Sequence, residues 1–124
     1  MSVTIPDGVL GRPAAHFLAA VDICAAEWRR DNDNLWVGGM VAAGWWICGY
    51  TPHPPMQPDR EAAATFGEVA EQVRMAGMAM LDKGGPDTIA ATWARGVYRM
   101  LNYAIGYSDE LPLLPTGRRT PARS

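Results

Sequence analysis

The sequence predicts an all-α fold: a small bundle of three to four helices with a C-terminal helical hairpin, an irregular N-terminus and a flexible C-terminal tail. Two observations lead to this prediction. Apolar side chains recur at steps of three and four residues in three separate segments, which is the period of an amphipathic helix. Clusters of Asp, Asn, Gly and Pro separate those segments and favour turns. A chain of 124 residues, 48% of them hydrophobic, can form one domain with its own core.

We assign residues 1–110 to this single domain and residues 111–124 to the tail. The spacing of apolar residues predicts a first helix over residues 14–30. Pro13 suits its first turn, because the missing N–H of proline would be unpaired there in any case. The Asp-Asn-Asp-Asn sequence at 31–34 ends this helix, and Asp33 or Asn34 can cap the next element. The apolar stripe consists of Phe17, Val21, Cys24 and Trp28, widened by Leu18 and Ala25.

The segment from Leu35 to Tyr50 is uncharged and holds three tryptophans and four glycines. We favour a fully buried helix in which the glycines allow close approach of a neighbouring backbone. Two alternative structures fit the same residues. One is a β-hairpin that turns at Gly38-Gly39, since Gly-Gly is a known two-residue turn. The other is a membrane-inserted segment, although a spanning helix needs about 20 apolar residues.

Four prolines within residues 51–58 predict a stiff connector, or alternatively an extended binding arm, because proline restricts its own φ and its predecessor's conformation. Asp59 can then cap a long helix from Arg60 to Leu81, which Gly84-Gly85 would end. A narrow apolar seam on this helix suits a partner helix. The seam consists of Phe66, Val69, Val73, Ala76 and Met80, with Met75 and Met78 on a second apolar face.

The last predicted helix runs from Thr88 to Ile105 and stops at Gly106. Its apolar residues follow strict four-residue steps, so the stripe drifts around the axis and favours an angled crossing with a neighbour. Residues 83–87 join it to the preceding helix, and the two form the predicted helical hairpin. The stripe consists of Ile89, Trp93, Val97, Leu101 and Ile105.

Charge is distributed unevenly along the chain. Residues 1–110 carry eight basic and thirteen acidic side chains, whereas the tail has only Arg118, Arg119 and Arg123. An acidic body does not attract a phosphate backbone, so we expect no nucleic-acid partner, with those three arginines as the one weak possibility. Cys24 and Cys48 lie in apolar stretches, which predicts two reduced core residues; a bridge between them is the alternative.

No motif for chemistry withstands inspection, and the sequence predicts no catalytic residue, no cofactor and no metal ion. Asp31 and Asp33 resemble the start of a calcium loop, but Trp36 and Ala42 occupy the positions that need Gly and Glu. The two histidines, His16 and His53, have no short paired spacing with the cysteines that would suggest zinc. None of the serines lies in a strand-turn-helix elbow.

The most informative polar group lies on the last helix, where Arg95, Arg99 and Asn102 share a face and Tyr98 neighbours it. Arg and Tyr are residue types enriched at protein interfaces. We therefore predict a non-enzymatic protein-interaction module, a small component or accessory of a larger assembly, that binds a protein partner or itself. The candidate partner-binding residues are Arg95, Tyr98, Arg99, Asn102, Tyr103, Trp45 and Trp46.

Two other functions are retained as alternatives. A helical ligand-binding or enzymatic domain would have a pocket lined by Trp and Tyr. A membrane-associated protein would use Leu35–Tyr50, which we do not favour. With no signal peptide in residues 1–10, a cytoplasmic location is expected, or a virion-associated one if a phage encodes the chain. The scarcity of lysine and abundance of Ala and Gly resemble small proteins of GC-rich bacteria and their phages; this resemblance covers no motif and implies no site.

Overall fold

The structure, a computed structural model, describes residues 3–81 and 89–113. Within those ranges it consists of four α-helices and contains no strand, so the predicted all-α bundle is confirmed. The predicted helix end at Gly84-Gly85, the predicted start at Thr88 and the tail beyond Leu113 lie outside the described residues. The helices are α1 (Ala14–Arg30), α2 (Leu35–Cys48), α3 (Phe66–Met80) and α4 (Ile89–Ile105).

Helix α1 has the bounds that the sequence predicts, with Pro13 at its N-cap and Asp31 after its last turn. Its predicted apolar stripe faces the bundle interior. Phe17 and Cys24 are fully buried, and Trp28 packs against the core from the edge. Arg29 and Arg30 lie in the last turn, where positive charge opposes the negative end of the helix dipole.

Helix α2 is the central element and packs on both α1 and α4. Ten of its 14 residues are buried, which explains why the segment has no polar face. The buried-helix prediction is therefore confirmed, and a hairpin turning at Gly38-Gly39 is wrong because both glycines lie inside the helix. Asn34 caps it by accepting a hydrogen bond from the N–H of Val37 (3.3 Å). No helix in the described part of the chain is long and apolar enough to cross a membrane.

The predicted start of the third helix is wrong. Helix α3 begins at Phe66 instead of Arg60, and Thr65 instead of Asp59 is its N-cap. The hydroxyl oxygen of Thr65 accepts a hydrogen bond from the N–H of Glu68 (3.4 Å). A Thr followed three residues later by Glu is a known helix-start pattern, so the correct start was visible in the sequence.

The residues before Thr65 remain non-helical because other parts of the protein hold their backbone. Glu61-Ala62-Ala63-Ala64 is composed of good helix formers. However, the N–H of Ala62 donates to the carbonyl of Pro52 (2.9 Å), and the indole N–H of Trp46 donates to the carbonyl of Ala62 (2.7 Å). These contacts outweigh a helix propensity worth a few tenths of a kcal/mol per residue.

Helix α4 packs against both α2 and α3, so α3 and α4 form the predicted C-terminal helical hairpin. In its four-residue stripe, Val97 and Leu101 are fully buried, whereas Trp93 and Ile105 are partly buried. Ile89, at the first position of the helix, is exposed. Gly106 ends α4 with a positive φ of 91°, as predicted from its preference for the left-handed conformation.

Helices α2 and α4 approach so closely that only glycine fits at the contact. A Cβ atom added to Gly39 would lie 2.2 Å from the carbonyl oxygen of Trp93. One added to Gly96 would lie 2.0 Å from the carbonyl oxygen of Trp36. Each glycine thus makes room for the backbone of the other helix. The cost of about 1 kcal/mol for glycine in a helix is offset by the packing that it permits.

The connector packs against the bundle. Pro54 and Pro55 are buried, and the indole N–H of Trp93 donates to the carbonyl of Pro55 (3.2 Å). The side-chain oxygen of Gln72, a fully buried residue of α3, accepts from the N–H of Met56 (2.7 Å). These contacts hold residues 54–56 against the bundle.

The N-terminal segment is tied to the end of α4. The N–H of Gly11 donates to the carbonyl of Ala104 (2.9 Å). The guanidinium of Arg12 donates to the carbonyl oxygens of Tyr103 and Ser108 and lies 3.8 Å from the centroid of the Tyr103 ring. Only 11% of the Arg12 side chain is exposed. The guanidinium of Arg12, which is largely buried, thus holds a segment for which the sequence predicts only an irregular structure.

Candidate binding cleft

A surface cleft of about 510 Å³ opens beside α4, and we call it the α4 cleft. Its lining comes from four parts of the chain: the start of α2, the end of α3, one face of α4 and the segment after α4. Their side chains combine two guanidinium groups with three aromatic rings. The lining residues are Trp36, Met80, Arg95, Tyr98, Arg99, Asn102, Tyr107 and Ser108.

Four of the seven predicted partner-binding residues meet in this cleft: Arg95, Tyr98, Arg99 and Asn102. They follow one another at steps of three, one and three residues on α4, which places them on neighbouring positions of a helical surface. Tyr98 is 38% exposed, and its ring passes close to Gly77 of α3. The helical spacing read from the sequence therefore brings this group together.

Arg99 joins the wall of the cleft to the segment after α4. Its Nε donates to the carbonyl of Pro112 (2.8 Å), and its Nη2 donates to the carbonyl of Leu111 (3.1 Å). Its Nη1 lies 3.7 Å from a carboxylate oxygen of Glu110. The guanidinium also lies 5.9 Å from the ring centroid of Trp36, near the limit of a cation–π contact.

Asn102 has a structural role at the base of the cleft. Its side-chain N–H donates to the carbonyl of Tyr98 (2.9 Å). Its own carbonyl accepts from the backbone N–H groups of Tyr107 (2.9 Å) and Ser108 (3.3 Å). Asn102 thus fixes the turn that places Tyr107, 81% exposed, at the rim of the cleft.

The other three predicted partner-binding residues do not line the α4 cleft. Tyr103 is 3% exposed and lies beneath Arg12. Trp46 is 1% exposed and donates its indole N–H to Ala62. Trp45 is partly buried and packs against the core. Burial gives Tyr103 and Trp46 a role in the core, where a partner does not reach them.

Sequence reasoning missed four lining residues. Trp36 lies in the apolar segment of α2, and its spacing assigns Met80 to the apolar seam of α3. Tyr107 and Ser108 follow the stop at Gly106 and have no periodic pattern. Each comes from a different segment than the predicted group, so only the packing of the helices brings them to the same place.

A second cleft, of about 560 Å³, lies at the other end of α2, where Gly49 and Trp46 form part of its wall. It is bounded by the N-terminal segment (Thr4 and Pro6) and by residues 61–64. Among the described residues that line it, Glu61 alone has a side chain with a formal charge. The aromatic and cationic combination found in the α4 cleft is not repeated here.

The remaining chemistry of the described residues is sparse. No group of three or more His, Cys, Asp or Glu side chains among them is placed to hold a metal ion. His16 is exposed, and Nδ1 of His53 lies 2.9 Å from the carbonyl oxygen of Arg60. The pair Glu71 and Arg74 is exposed on α3, and its hydrogen bond lowers the pKa of Glu71.

Cys24 and Cys48 are free, buried thiols, as the sequence predicts. Burial raises the pKa of Cys24 to about 12 and that of Cys48 to about 11. The thiolate is the reactive form. We therefore expect neither cysteine to be alkylated by iodoacetamide in the folded protein at pH 8, whereas both react in urea. Mass spectrometry counts the adducts, and rapid labelling of the folded protein would contradict the assignment.

The same pKa shifts make stability depend on pH. Above a pH of about 9 the unfolded chain releases its thiol protons, while the folded chain retains them until about pH 11 to 12. The folded state then binds more protons, so its stability falls as pH rises through this window.

Comparison of the chain with protein-family models, with curated proteins and with solved structures finds no match.

Proposed function

We propose that this protein is a non-enzymatic protein-interaction module that binds a segment of a partner in the α4 cleft. One observation supports this above all others: the cleft gathers two arginines and three aromatic side chains at a surface opening. Arg, Trp and Tyr are the residue types that dominate the binding energy of protein interfaces. Trp36, Tyr98 and Tyr107 supply apolar contact area, and Arg95 and Arg99 supply charge.

The charge of the cleft favours an acidic partner. The body of the chain carries a formal balance of five negative charges over residues 1–110. The described residues that line the cleft nevertheless include two cations and no carboxylate. Complementary charge gives specificity and faster association more than it gives affinity. A partner segment with a negative charge next to an apolar side chain matches this combination.

The composition of the cleft supports binding better than catalysis. Among the described residues that line it, none carries an imidazole or a carboxylate that could act as a general base. The hydroxyl of Ser108 instead accepts a hydrogen bond from the N–H of Glu110 (3.3 Å). The lining residues thus supply a surface with charge and rings, without the paired groups that nucleophilic catalysis requires.

Affinity capture with matched variants tests the proposal. Tagged wild-type protein is compared with Arg95→Gln, with Tyr98→Ala and with the control Arg29→Gln, which removes the same charge from an exposed position on α1. We expect the wild type and the control to capture the same proteins in equal amounts. Both cleft variants should capture about tenfold less of these proteins, or lower amounts still, as for typical interface anchors. Circular dichroism confirms that each variant is folded.

Equal capture by all four proteins, or no specific capture by any, would refute the proposal. Self-association through the cleft is measured separately by analytical ultracentrifugation of the same variants. A wild-type dimer that dissociates in Arg95→Gln but persists in Arg29→Gln would make a second copy of this chain the partner.

A small-ligand-binding function is the second candidate, favoured by the size of the cleft. Its volume of about 510 Å³ lies within the range of about 300–1,000 Å³ found for small-molecule sites. Native mass spectrometry distinguishes the two functions, since a small carboxylic acid retained by the purified wild type and absent from Arg95→Gln would support this candidate.

A further inference from the structure

We propose that the α4 cleft recognises a carboxylate flanked by an apolar side chain. In the free protein the carboxylate of Glu110 pairs with Arg99 until such a group displaces it. This inference rests on the proposed function. It specifies the chemistry of the partner segment and the contact within the chain that competes with it. Its basis is the set of contacts that Arg99 makes with residues 110–112.

The contacts of Arg99 fall into two kinds. Its two hydrogen bonds to the carbonyls of Leu111 and Pro112, at 3.1 and 2.8 Å, hold the backbone of the segment after α4. Pro112 is buried, so this part of the segment is fixed. The third contact, to Glu110 at 3.7 Å, is longer, and the side chain of Glu110 is 80% exposed. The carboxylate can leave Arg99 while the backbone remains bound.

An exposed ion pair of this length is weak. Such pairs contribute little to stability, because solvent screens the charges and the long side chains lose freedom. A ligand carboxylate that also packs an apolar group on Trp36 or Tyr98 has an additional source of binding that Glu110 lacks. Such a ligand therefore displaces Glu110 from Arg99, because breaking the Arg99–Glu110 ion pair costs the free protein little stability.

Glu110 also indicates the chemistry of the ligand. It is a carboxylate followed in the chain by Leu111 and Pro112, and it reaches a guanidinium at the wall of the cleft. Arg95 lies one helical turn before Arg99 on the same face. Two guanidinium groups one turn apart favour a carboxylate, which arginine binds with two parallel hydrogen bonds. An acidic residue next to an apolar one in a partner repeats the group that Arg99 already contacts.

Peptide titrations test this inference. The probes are Ac-Glu-Leu-Pro-Leu-NH₂, which repeats residues 110–113, and Ac-Gln-Leu-Pro-Leu-NH₂, and binding is followed by NMR at the indole N–H of Trp36. In the Glu110→Gln variant we expect the acidic probe to bind about two- to fivefold more tightly than in the wild type, which corresponds to one released surface ion pair. The Gln probe is expected to bind more weakly to both proteins.

Asp109→Asn is the matched control. It removes the same charge one position away, from a side chain that is 98% exposed and reaches Arg12 (3.4 Å) instead of Arg99. The control is expected to bind the acidic probe as the wild type does. An equal gain in both variants would show a general effect of net charge and would overturn the role of Glu110.

The two proposals can fail separately. Equal affinity of the acidic and Gln probes, an unchanged affinity in Glu110→Gln, or no binding of either probe overturns the inference about the carboxylate. Capture that still depends on Arg95 and Tyr98 would then leave the proposed function in place. The converse result is that the probes bind with the expected pattern among the variants while capture is the same in the wild type and the cleft variants. That result supports the carboxylate site and refutes the role of the cleft in binding a protein partner.

Discussion

A Gly96→Ala variant is expected to lose about 3 kcal/mol or more of its free energy of unfolding. The added methyl group would lie 2.0 Å from the carbonyl oxygen of Trp36 and 3.0 Å from the backbone nitrogen of Met40. Both atoms belong to the backbone of α2, so no side-chain rotation relieves the clash and the two helices must separate. Overpacking that forces backbone shifts costs about 1–3 kcal/mol and occasionally more, and a contact this short belongs at the upper end. Thermal unfolding should show a midpoint lower by roughly 10 °C or more.

Gly77→Ala is the control for this prediction. Gly77 lies inside α3, and a Cβ atom there would meet the ring of Tyr98 at 3.5 Å, an ordinary van der Waals distance. Alanine is a better helix former than glycine, so this variant should gain about 0.5–1 kcal/mol. A Gly96→Ala protein as stable as the wild type would show that α2 and α4 do not pack as described.

An Arg12→Met variant is expected to lose about 2–4 kcal/mol of stability. Methionine keeps much of the side-chain volume but removes the hydrogen bonds to the carbonyls of Tyr103 and Ser108. It also removes the cation that lies 3.8 Å from the Tyr103 ring centroid. Hydrogen bonds from a charged group contribute about 1.5–3 kcal/mol each, and these lie in a largely buried site. Urea unfolding followed by circular dichroism measures the loss.

The matching control is Arg29→Met, which removes an exposed arginine from the last turn of α1. Its unfolding midpoint should stay close to that of the wild type. An equal loss in both variants would show that net charge, and not the Arg12 contacts, sets the stability. Hydrogen exchange would add a local measurement. Arg12→Met should weaken the protection of the N–H of Gly11, which donates a hydrogen bond to the carbonyl of Ala104.

The helices with regular apolar spacing could be predicted because that information is local. The bounds of α1 and the stop at Gly106 follow from periodicity and from glycine conformation, which need no knowledge of distant residues. Helix propensity alone places the start of α3 too early, although the Thr65 cap with Glu68 three residues later marks the observed start. The backbone of Ala62 is hydrogen-bonded to the carbonyl of Pro52 and to the indole N–H of Trp46, and neither partner lies within the predicted helix. Where a tertiary contact competes with local preference, periodicity and composition do not show which one prevails.

The candidate site was predicted to the extent that it lies on one helix. Arg95, Tyr98 and Arg99 share the face that their spacing indicates. Tyr103 has a similar spacing, yet it is buried and Arg12 covers its ring. Trp36 enters the cleft only because glycines let α2 approach α4. No sequence pattern in the N-terminal segment predicts that the side chain of Arg12 is largely buried, since a single arginine in an irregular stretch is ordinarily exposed.

The packing of α2 against α4 makes burial of α2 depend on a later part of the chain. Helix α2 is apolar on all sides, and its main cover, α4, follows about fifty residues later in the chain. At a translation rate of about 5–20 residues per second, α2 is complete roughly three to eleven seconds before α4 is complete. During that interval its surface can contact other nascent chains, so the period before α4 leaves the ribosome is the one in which aggregation competes most strongly with folding.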